Sequence, residues 1–106
     1  MTTTALPTPD FSRFPRHDEL TTLLRAYVAA RPDVVELRSI GTSHEGRDIW
    51  LVVLTRKATG ADTDKPAFWI DGNIHAAELT ACTAALYYLH HLLTHDATDP
   101  DRKSTV

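Results

Sequence analysis

The run DIWLVVLTR, residues 48–56, is apolar at every position from Ile49 to Leu54, so an extended chain there would present apolar side chains on both faces. A strand with one solvated face alternates polar and apolar residues; a strand that does not alternate belongs in the interior of a sheet, covered above and below. The shorter run AFWID, residues 67–71, has the same character. Two such runs call for a sheet larger than the three strand-like segments of this chain would build. The chain is therefore expected to be part of a domain whose remaining strands lie outside it.

The segments around these runs alternate in type. From Asp18, an N-cap candidate, Leu20, Leu23, Leu24, Tyr27 and Val28 recur at helical spacing until Arg31-Pro32 stops the pattern. DVVELRSIG follows as a strand, and the turn-forming GTSHEGR joins it to DIWLVVLTR. KATGADTDKP, with charge, Gly and Pro, is an exposed loop, and AFWIDG a short buried strand. From about Ala77, the residues Leu79, Cys82, Leu86, Leu89 and Leu93 form one helical stripe; Ala81, Ala84 and Ala85 beside it predict a helix covered on more than one side. Residues 1–10, rich in Thr and Pro, read as a flexible lead-in, leaving 11–106 for the domain. Helix, strand, strand, strand, helix is the order of an α/β layer structure with a mixed sheet.

Composition narrows the partners. With 106 residues, 42% of them hydrophobic, the chain supports a single core at most. A net charge of −3 with scattered basic residues offers no footprint for nucleic acid or an anionic membrane. Cys82 is the only cysteine, so no internal disulfide forms. No apolar run approaches the length of about 20 residues that a membrane span needs, and no secretory leader is visible, so a soluble, cytoplasmic chain is expected.

The chemistry concentrates in DGNIHAAE, residues 71–78. His75 and Glu78 fall just after a strand-like run and in the first turn of a helix-like one, where open α/β sheets place their ligands. A neutral imidazole and a carboxylate are both zinc ligands, at about 2.0 to 2.2 Å from the ion, and the helix N-terminus favours an ionised Glu78. Gly72 allows a sharp turn and Asn73 tolerates unusual dihedrals. On spacing alone H-x-x-E is unspecific, since six histidines and fourteen acidic residues produce such pairs by chance. The bland alternative is a loop histidine followed by a helix-entrance carboxylate.

Three features together carry a family resemblance: the leading helix, IGTSHEGRDIW at residues 40–50, and IDGNIHAAE at residues 70–78. In this order they resemble the zinc metallocarboxypeptidases of the carboxypeptidase A/B type, over roughly residues 11–93. The resemblance implies that the chain is the N-terminal part of an α/β/α sandwich around a mixed sheet. It also implies that His75 and Glu78 are the first two zinc ligands, and that the complete protein is a protease releasing C-terminal residues from peptide substrates. Carboxypeptidase A is an established His₂Glu catalytic zinc site. In that family the third ligand, the carboxylate-binding Arg, the substrate-side Tyr and the general-base Glu lie downstream of the helix at which this sequence ends. No catalytic residue is then expected within the chain, and the fragment alone is expected to be inactive.

The motif departs from the best-known members at Ala77, where many carry an Arg that contacts substrate; this bears on specificity rather than on zinc. His90 cannot replace the missing ligand, because twelve positions on a helix separate it from Glu78 by about 18 Å. His90, His91 and His95 are expected to be solvent-facing or helix-end residues, and His17 and His44 surface ones. Arg47 is expected to pair locally, Glu36, Arg38 and Asp48 to line an exposed face, Trp50 and Trp69 to be core or core-edge aromatics, and Cys82 to be a buried small hydrophobe. Two other readings stay open: a zinc amidohydrolase of the deacylase type acting on small acylated amino acids, and a non-catalytic α/β module.

Overall fold

The structure, a computed structural model, describes residues 5–95. The chain divides into two compact units, the first built from residues 5–9 and 16–66 and the second from 10–15 and 67–95.

The first unit is a helix on a hairpin. Helix α1, His17–Ala30, buries Leu24, Tyr27 and Ala30, three residues apart each time, as one face of a 3.6-residue repeat requires. Arg16, not Asp18, is the cap: its backbone N–H donates to the Glu19 carboxylate at 3.1 Å, while Asp18 lies inside the first turn, where the dipole still favours its charge. Strands β1, Val35–Thr42, and β2, Asp48–Leu54, pair antiparallel, Val35 opposite Leu54 and Ser39 opposite Trp50, with an irregularity between Ser39 and Thr42. The connection closes when the Gly46 N–H donates to the Ser43 carbonyl at 2.9 Å; Gly46 sits at φ 80°, a conformation that favours glycine.

Side chains tie α1 to this hairpin. The Trp50 indole N–H donates to Thr21 Oγ1 at 2.9 Å, and the Arg25 guanidinium lies 5.9 Å from the Trp50 ring. His17 Nε2 donates to the Asp48 carbonyl at 2.8 Å, so His17 is a tie between elements rather than a surface residue. Val34 and Val35, just before and at the start of β1, are fully buried. Two short 3₁₀ turns, Lys57–Thr59 and Asp62–Asp64, follow β2. Lys65 Nζ gathers them by donating to Thr55 Oγ1, the Arg56 carbonyl and Thr59 Oγ1 at 2.7, 2.8 and 2.7 Å. Arg38 bridges Glu36 and Asp62 at 2.8 and 3.1 Å, so the charges of this face pair with one another.

The second unit carries helix α2, Leu79–His95, which buries Leu86, Leu89 and Leu93. It begins two residues later than Ala77. It is also less covered than its composition predicts, because Leu79, Tyr87 and Tyr88 are exposed. Phe11 packs edge-on against Tyr87, with ring centroids 5.4 Å apart.

The larger correction concerns AFWIDG. Residues 67–72 belong to no strand, and among the described residues the sheet has two strands, not three. Phe68 is 85% exposed and Trp69 63%, so Trp69 is not a core aromatic; its indole N–H donates instead to Asp71 two residues on, at 2.6 Å. A strand exists only by hydrogen bonding to a neighbour. The apolar composition is present here without that neighbour. The class is nonetheless mixed α/β, as the order of elements in the sequence predicts.

Candidate metal centre

The loop entering α2 is held by two residues whose roles follow from their backbones. Asn73 adopts φ 65°, the sole non-glycine positive φ among the described residues, which asparagine tolerates better than most. Its amide Nδ2 donates to the His75 carbonyl at 3.4 Å. Gly72 serves a different purpose from the sharp turn expected of it. A Cβ there would lie 2.7 Å from Ala81 Cβ and 3.2 Å from the Ala81 backbone, so glycine lets the loop lie against α2.

These constraints deliver His75 and Glu78 as a pair. Residues 75–78 form a turn in which the Glu78 N–H donates to the His75 carbonyl at 3.0 Å. Glu78 reaches back, accepting the His75 backbone N–H at 3.2 Å on Oε1, and the same oxygen contacts His75 Nδ1. Glu78 stands immediately before Leu79 rather than inside the first turn, at the cap position, where the helix dipole favours a carboxylate. The His75 side chain is 80% exposed and that of Glu78 45%, so the pair is open to a solvated ion.

An imidazole nitrogen and a carboxylate oxygen side by side are a two-donor set suited to a borderline divalent cation such as zinc. The chain belongs to the zinc carboxypeptidase family, whose characteristic sequence it matches over residues 20–106. It is 30% identical to carboxypeptidase B of Astacus astacus over 92% of its own length and 31% of that protein. It is 28% identical to a zinc carboxypeptidase of Saccharothrix mutabilis subsp. capreolus and 30% identical to carboxypeptidase A1 of Rattus norvegicus, in each case over 91% of this chain and 22% of the relative. The chain thus spans between about a fifth and a third of these relatives. No solved structure matches it.

Elsewhere, the structure keeps the other candidates apart. No group of three or more His, Cys, Asp or Glu side chains able to hold a metal occurs among the described residues. His44 is exposed in the hairpin connection. Arg47 pairs locally with Glu45 at 3.3 Å. Cys82 is half-buried and burial pushes its thiol pKa up, the opposite of what a nucleophile needs. No helix among the described residues is long and apolar enough to cross a membrane. Sequence reasoning undervalued His17, whose contact with Asp48 joins positions 31 residues apart and leaves no periodic signal.

Proposed function

We propose that this chain contributes the first two zinc ligands, His75 and Glu78, to a metallocarboxypeptidase that removes C-terminal residues from peptides. The observation that carries the reading is the contact between the His75 ring and the Glu78 carboxylate at the entrance of α2, within the span that matches the family. Zinc, when bound, would supply a Lewis acid that polarises the scissile carbonyl and activates water. The chain's own contribution is to present an imidazole and a carboxylate in one solvent-open turn, with Gly72 and Asn73 holding that turn against the helix.

The third protein ligand and the general base belong, on this reading, to sequence other than the described residues. The 106-residue polypeptide alone then binds zinc weakly and hydrolyses no peptide. The test is zinc titration of the chain by calorimetry, beside the Glu78→Ala and His75→Ala variants, with a carboxypeptidase assay on the same samples. Weak binding lost in both variants, without turnover, is the expected result. Chelator-sensitive turnover abolished by Glu78→Ala would overturn the assignment of an incomplete centre, and zinc binding indifferent to both substitutions would overturn the ligand assignment.

A further inference from the structure

The last turns of α2 carry a second pair of metal-ligating side chains that the His75–Glu78 centre does not use. His91 and His95 are four residues apart, one turn above the other on the same helix face. Their ring centroids lie 4.2 Å apart with the planes inclined by 32°. Tyr87, one turn earlier, is nearly parallel to His91, at 13° and 6.2 Å between centroids. His95 Nδ1 lies 2.9 Å from the His91 carbonyl oxygen, which only accepts, so Nδ1 carries the hydrogen and the neutral ring has its lone pair on Nε2. Ligating histidines are commonly anchored in this way, through one ring N–H to a backbone carbonyl, because it sets both tautomer and ring orientation.

We propose that His91 and His95 form a metal site distinct from His75 and Glu78. It takes a divalent first-row transition ion, of the Ni²⁺, Cu²⁺ or Zn²⁺ class, on two imidazole nitrogens with water completing the coordination. Two histidines at i and i+4 on one helix face are a recognised chelating spacing, and imidazole selects these ions over Ca²⁺ and Mg²⁺. A cation here also sits at the negative end of the helix dipole. The two pairs cannot share an ion, since Leu79 and His91 are separated by about 18 Å along the helix axis. His90, whose ring packs against Phe11 at 6.2 Å, is outside the site.

The test uses the full 106-residue chain carrying His75→Ala and Glu78→Ala, titrated with Ni²⁺ and Cu²⁺ by calorimetry. One ion per chain is expected, with affinity at least about tenfold weaker after His91→Ala or His95→Ala and unchanged after His90→Ala. A parallel measurement needs no substitution: substoichiometric Cu²⁺ added to the native chain should broaden the His91 and His95 imidazole signals before those of His17 and His44. Affinity indifferent to His91→Ala and His95→Ala, an equal loss with His90→Ala, or broadening spread evenly over the histidines overturns the proposal. Should a variant fail to fold, the broadening pattern decides.

Discussion

Raising the pH should destabilise this protein through Tyr27, and replacing that residue by Phe should remove that contribution. Tyr27 is completely buried in α1, and burial pushes its phenol from an ordinary pKa near 10.0 up to about 12. Below pH 10 the hydroxyl is neutral whether the chain is folded or not, and the contribution of the native state is fully present. Between pH 10 and 12 the unfolded chain ionises first, so it binds fewer protons than the native one and stability falls as pH rises. Above 12 both forms ionise and the loss is complete. Two units at 1.36 kcal/mol per unit bound the loss at about 2.7 kcal/mol, and local opening that lets water reach the phenolate brings it to about 1 to 2 kcal/mol. Urea unfolding followed by Trp50 fluorescence at pH 9 and at pH 11.5 measures it, in the native chain and in Tyr27→Phe. Deleting the hydroxyl costs about 1 kcal/mol at both pH values and cancels in the comparison, as do the lysines and the other tyrosines. The native chain should lose about 1 to 2 kcal/mol more than the variant across this interval. Parallel losses in the two proteins would refute the argument, because the burial of Tyr27 would then carry no proton linkage.

Thr21→Val takes away the acceptor of the Trp50 indole and should lower stability by about 1 kcal/mol while shifting Trp50 emission, measured by denaturant titration; an unchanged midpoint would mean that the indole finds water instead. The hydrogen bonds from Arg38 hold the Asp62 carboxyl below its usual range, so the stability it contributes is present above about pH 4 and lost as pH falls through the lowered value. Asp62→Asn should flatten that acid limb in a pH series of thermal melts. Lys65→Met removes three hydrogen bonds that gather the segment after β2, and limited proteolysis should then cut between residues 56 and 65 faster than in the native chain.

What the sequence discloses about this molecule depends on how far each feature must look for its partner. Helix α1 and the β1–β2 hairpin were legible because the periodicity that marks each element also marks the face it buries, and the partner lies within a few tens of residues. AFWID was not, because a run apolar on both faces states that it is suited to burial and says nothing of what buries it; pairing requires a neighbouring strand, and composition cannot supply one. The same distinction runs through the candidate centre. His75 and Glu78 were legible as a pair since one turn of chain brings them together, and the φ of Asn73 follows from the side chain itself. Gly72 was misread because its role is set by Ala81, nine residues away across a loop-to-helix contact that no spacing rule encodes. A zinc centre built from ligands on separate elements is the extreme case of this dependence: local spacing can nominate the two donors that share a turn, and the donor on another element is fixed only by the tertiary fold that brings it there.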